Sequence, residues 1–90
     1  MKRWTARKAQ GGYEALGDAE GLLEALGRYE DFHEGLLLEL EELKEELERL
    51  RGLGRQKSVT YRQLFANQLS LEALIRRLQA LRAELSYYEN

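Results

Sequence analysis

Three stretches of this chain combine residue types at spacings that do chemistry. Glu30-Asp31-Phe32-His33 sets a carboxylate and an imidazole three residues apart, which on a helix places both on one face and makes half of a metal site. Residues 49–65, RLRGLGRQKSVTYRQLF, carry Arg49, Arg51, Arg55, Lys57 and Arg62 with no carboxylate, and add the rings of Tyr61 and Phe65. Cations interleaved with aromatics hold anions or stack on bases. The first ten residues, MKRWTARKAQ, surround Trp4 with four cations, a pattern that suits an anionic surface.

Each stretch also has a plainer reading. Glu30 and His33 resemble the Glu-x-x-His element of ferritin-like di-iron proteins, some of which build their metal centre between two-helix subunits. The resemblance covers four residues. A di-iron site also wants bridging glutamates from a second helix, and the expected neighbours of His33 there are Arg77 and Leu78. A structural histidine is therefore the better reading. In the basic stretch, Arg49 and Arg51 suit a helix C-terminus, where the dipole favours cations, but Arg55, Lys57 and Arg62 gain nothing from either helix end. Arg51, Arg55, Lys57, Tyr61 and Arg62 are accordingly the candidates for contact with a partner or an anion. The basic arm is short and reads as a flexible tail rather than a membrane anchor.

Charge is segregated along the chain. Residues 13–48 hold thirteen acids against Arg28 and Lys44, residues 49–71 are +5, and the whole sums to -2. Thirteen carboxylates in one segment could imitate a nucleic-acid backbone, but ordinarily form a solvated helix face.

Composition excludes much of the remaining chemistry. With no cysteine and one histidine, disulfides, thiolate nucleophiles and the usual zinc spacings are impossible. No serine sits in a nucleophile elbow and no glycine pattern follows a strand, so no enzyme activity and no cofactor are expected. The longest apolar run, Leu36–Leu38, is far too short to span a membrane. The composition predicts a soluble cytoplasmic protein.

The elements that carry these residues are legible as heptads. Ala15, Ala19, Leu22, Leu26, Tyr29, His33, Leu36, Leu40, Leu43, Leu47 and Leu50 alternate steps of four and three, and so do Leu64, Asn67, Leu71, Leu74, Leu78, Leu81, Leu85 and Tyr88. With no proline to interrupt them, these patterns predict an all-α, coiled-coil-like antiparallel hairpin. Residues 1–12 form a basic flexible arm ahead of it. Helix one runs over about 13–51, a hinge over 52–59 and helix two over about 60–88. Gly52 is the expected left-handed cap, and Thr60 the expected N-cap with Ser58 as rival. Folding about the hinge pairs seam residues whose numbers sum to about 110.

Leu16, Leu23, Phe32, Leu37 and Leu38 widen the apolar stripe of helix one, and Phe65, Leu69 and Ile75 that of helix two. A wide stripe needs more than one partner helix, so two hairpins are expected to dimerise as a four-helix assembly. The functional expectation is a non-enzymatic interaction module that self-associates and binds a partner protein. The alternatives are a nucleic-acid-binding or regulatory protein acting through the basic hinge, and an acidic nucleic-acid mimic.

Overall fold

The computed structural model describes residues 1–89. The chain is mostly helical, 72% helix, with a small two-stranded sheet that the all-α expectation omitted. It divides into two compact units, Met1–Phe32 and His33–Asn90.

In the first unit, β1 (Thr5–Arg7) pairs antiparallel with β2 (Tyr13–Ala15), with Thr5 opposite Ala15, Ala6 opposite Glu14 and Arg7 opposite Tyr13. The Leu16 amide donates to the Trp4 carbonyl at 2.9 Å and lengthens the ladder by one bond. Within the stretch 1–12 expected as an arm, Thr5–Arg7 is thus the first strand of a β-hairpin. Gly11 and Gly12 are its turn rather than a boundary. Both adopt positive φ, 94° and 80°, which a side chain would resist. The turn is closed by the Gly11 amide donating to the Lys8 carbonyl at 3.1 Å and the Lys8 amide to the Gly12 carbonyl at 3.0 Å.

Helix α1 (Ala19–Gly52) starts six residues later than the heptad pattern suggests. Residues 13–15 are committed to β2, and Asp18 then caps the helix: its Oδ1 accepts from the Gly21 amide at 2.7 Å. Glu20 in the first turn complements the dipole.

At its other end α1 runs one residue past Arg51 and closes in a Schellman motif. The Arg55 amide reaches the Leu50 carbonyl and the Gly54 amide the Arg51 carbonyl, both at 2.9 Å. The left-handed residue is Gly54, φ 72°, not Gly52, which remains helical. Helix α2 (Val59–Leu85) begins after Ser58, whose Oγ accepts from the Tyr61 amide at 3.1 Å, so the rival cap is the real one. A 3-10 turn over Ser86–Tyr88 follows.

Within the second unit, α1 and α2 meet through Leu36, Leu40, Leu71 and Ile75, with Leu43 and Leu78 packed against them. Leu47 and Leu50 are also buried. On α1 the expected seam is observed from His33 to Leu50; of its earlier members, Ala15 lies in β2 and Ala19 and Leu26 are exposed. On α2 its phase is different: the buried or half-buried positions are Tyr61, Leu64, Gln68, Leu71, Glu72, Ile75, Leu78, Arg82 and Leu85. Asn67, Leu74 and Leu81 of the expected seam are exposed. Leu74 is 40% exposed, whereas Ile75 beside it is 4% exposed. Ile75 therefore belongs to the core of this hairpin, not to an outer surface.

Candidate functional site

The strongest cluster of candidate side chains stands at the turn between α1 and α2. The Schellman closure and the Ser58 cap hold the six residues 53–58 in a tight connection and orient the cations around it. Arg49 and Arg51 are neutralised within α1. Arg49 Nε and Nη2 donate to the two oxygens of Glu46 at 3.0 and 2.6 Å, and Arg51 Nη1 donates to Glu48 at 2.8 Å.

Those bonds move the protonation equilibria in the expected sense. The hydrogen bond from Arg49 holds the Glu46 carboxyl below its ordinary range, and the same bond raises Arg49. Arg51 is raised chiefly by its hydrogen bond to Tyr61, with Glu48 adding to it.

Arg51 crosses the turn. Its Nη2 donates to Tyr61 Oη at 2.9 Å, tying the end of α1 to the first turn of α2. Tyr61 is half-buried and lies parallel to Phe65, ring centroids 6.4 Å apart at 12°. With one edge bonded and one face taken, the Tyr61 ring is a structural clasp, and a base would have to displace its present contacts to stack there. Phe65 keeps an exposed edge.

The other three cations are differently placed. Arg62 Nη2 donates to the Lys57 carbonyl at 2.9 Å, which steers the guanidinium back over the turn without neutralising it. Arg55, Lys57 and Arg62 are exposed, and none has a carboxylate within ion-pair distance among the described residues. Exposed Leu53 and Val59 stand in the same segment. The structure therefore brings together Arg51, Tyr61 and Phe65 as one bonded group, and Lys57 with Arg62 as another. The Arg55 backbone instead donates to the Leu50 carbonyl and accepts from the amide and hydroxyl of Ser58.

The apolar candidates fall in both units. Leu16, Leu23 and Phe32 are exposed in the first; Leu37 and Phe65 are exposed in the second. Leu38 and Leu69 are exposed in the second unit as well. The sequence pattern names all of these as outer apolar residues but not Leu74 and Leu81, because it assigns those two to the seam.

On one side of the seam a shallow groove of about 360 Å³ is lined by Glu39, Glu42, Leu43 and Glu46 of α1 and by Leu64, Asn67 and Leu71 of α2. It is carboxylate-rimmed with a leucine floor. Among the described residues no group of three or more histidine or carboxylate side chains is placed to hold a metal ion. No helix among them is long and apolar enough to cross a membrane. Neither a protein-family model, nor a curated protein, nor a solved structure matches the chain.

Proposed function

We propose that the protein is a non-enzymatic interaction module, a helical hairpin that associates with a second copy of itself and presents its turn to a partner protein. One observation carries the reading. In the second unit Leu37, Leu38, Phe65 and Leu69 stay 39, 61, 43 and 54% exposed while flanking a core of only six buried residues. Large apolar side chains grouped beside a thin core gain stability when another surface covers them.

Native mass by light scattering tests the reading. A dimer or larger is expected, and Leu37→Lys should convert it to monomer with helix content retained. A wild-type monomer at tens of micromolar would refute self-association.

A second reading is favoured by the three cations that no carboxylate neutralises among the described residues. Arg55, Lys57 and Arg62 would then contact an anionic partner, nucleic acid included, with affinity falling steeply as salt rises. Neutralising Arg55 and Lys57 should sharply weaken salt-sensitive binding of a short DNA duplex and leave the native mass unchanged.

A further inference from the structure

Resting on the self-association proposed above, we infer that the second copy stacks with α1 against its partner's α2, so that both turns lie at the same end of the dimer. The alternative, α1 against α1 with the turns at opposite ends, is disfavoured by the order of charges along the hairpin.

The groove side of the seam shows that Glu39 and Glu46 of α1 stand beside Asn67 of α2. In an antiparallel pair, the positions across the seam from these are Leu37 and Lys44 on α1, and Phe65 and Glu72 on α2. This second side lacks the rim of three carboxylates and carries exposed Leu37 and Phe65, with Leu69 one row out, whereas the groove side carries exposed Leu74 and Leu81 in the row of Asn67. The second side is the one that a second copy would cover.

Just outside that strip runs one heptad row on each helix: Glu34, Glu41 and Glu48 on α1, and Arg62, Leu69 and Arg76 on α2. The core cluster sets the register, Leu40 level with Leu71 and Leu36 with Ile75. In that register Arg62 is level with Glu48 to within about one residue, Leu69 with Glu41, and Arg76 with Glu34.

The two stacking modes use these rows differently. A two-fold axis along the helices lays α1 over the partner's α2 at equal height. Each glutamate row then meets an arginine row, Glu48 facing Arg62, Glu34 facing Arg76, and Leu69 covered by the stem of Glu41. A two-fold axis across the helices instead lays each row on its own copy in reverse. Glu34 then faces Glu48, Glu41 faces Glu41 and Arg62 faces Arg76. Every charged contact in that row is between like charges, and such contacts select against a pairing mode.

The helices as wholes agree. From His33 to Gly52, α1 holds seven glutamates against Lys44, Arg49 and Arg51, a net of -4. Helix α2 holds four arginines against Glu72 and Glu84, a net of +2. Same-end stacking does gather Arg55 and Lys57 of both copies. They sit on an exposed turn, however, where salt screens charges beyond about 8–10 Å.

Two measurements test the inference. A spin label at Gln56→Cys, an exposed turn position, reads the distance between turns. Same-end stacking places the turns about one interhelical spacing apart, ~10 Å, plus the label arms. Opposite-end stacking adds an axial offset of about 40 Å at 1.5 Å per residue. A charge cycle reads the same geometry. Glu34→Arg and Arg76→Glu should each weaken the dimer about tenfold, since each change acts twice per dimer, and together they should restore it to within about threefold.

The outcomes separate the two proposals. A labelled protein that scatters as a monomer overturns self-association and this inference with it. A dimer with widely separated turns, or one tightened by Glu34→Arg, overturns the orientation alone.

Discussion

Replacing Ile75 and Leu74 in turn tests which face of α2 packs on α1. Ile75 is 4% exposed inside the cluster with Leu36, Leu40 and Leu71, so Ile75→Ala removes buried methyl groups and leaves a cavity the facing leucines can only partly fill. Such substitutions cost about 2–5 kcal/mol. A two-helix site collapses more readily than a deep core, and alanine recovers ~0.4 kcal/mol of helix propensity, so about 3 kcal/mol is expected. Leu74 is 40% exposed, and its truncation should cost about 1 kcal/mol. A chain of 90 residues has roughly 5–13 kcal/mol to lose. With a urea slope of about 1.5 kcal/mol per molar, Ile75→Ala should lower the midpoint by about 2 M and Leu74→Ala by less than about 1 M. Urea melts followed by circular dichroism, at a protein concentration where both variants scatter with the same mass, give the comparison. Leu74→Ala costing as much as Ile75→Ala would show that the row containing Asn67, Leu74 and Leu81 is the buried one, and the described phase of α2 would be wrong.

The two ends of the turn offer paired substitutions of opposite sign. Gly54→Ala forces a side chain into φ 72° and should cost about 1–2 kcal/mol, whereas Gly52→Ala, helical with open space at its Cβ, should gain about 0.5–1 kcal/mol in the same melts. Ser58→Ala should cost about 1 kcal/mol and Thr60→Ala should leave the midpoint nearly unchanged, because only Ser58 holds a first-turn amide. Because the Arg49 hydrogen bond lowers the folded pKa of Glu46 below its unfolded value, the stability it adds is present above the ordinary carboxylate range and is lost as pH falls through the folded value. Glu46→Gln should therefore flatten the acid limb of a stability-against-pH curve, and an unchanged limb would show that the bond adds nothing in solution.

How far the sequence reveals this fold differs from element to element, for physical reasons. The α1 seam from Leu36 to Leu50 is the buried one, because only one leucine row there is flanked almost wholly by glutamates. On α2 the row Leu64, Leu71, Leu78 and Leu85 can be completed on either side, by Leu74 and Leu81 or by Ile75. Apolar count favours the first. The second is observed because the turn sets the starting phase: the Ser58 cap and the Arg51–Tyr61 hydrogen bond bring Tyr61 against α1, and Gln68, Ile75 and Arg82 follow at seven-residue steps. Gln68 and Arg82 tolerate half-burial because their long stems pack while their polar ends reach outward. The three-residue strands are too short for an alternating pattern, and only Gly11-Gly12 marks their turn. At the site, the cations themselves stand out in the sequence. That Arg49 and Arg51 are already neutralised, leaving Arg55, Lys57 and Arg62 without an ion pair among the described residues, depends on side-chain pairing that charge counting along the chain does not resolve.

The two functional readings are linked through the orientation of the second copy. Were the turns at opposite ends, each would present Arg55, Lys57 and Arg62 alone, a weak hold on any anionic partner. Under same-end stacking Arg62 is drawn toward Glu48 of the partner, while Arg55 and Lys57 of both copies converge beside exposed Leu53 and Val59. Four unpaired cations with an apolar rim match an acidic, partly apolar protein segment better than a nucleic-acid strand, since the Tyr61 ring is already held by Arg51 and Phe65. Association would thus create the binding end as well as cover the apolar strip, and the two activities should be lost together. Leu37→Lys, 18 residues from Arg55 and 20 from Lys57 in sequence, should then weaken binding of an acidic peptide by making the protein monomeric. Peptide affinity unchanged in a monomeric Leu37→Lys variant would show that a single turn suffices, and would separate the readings.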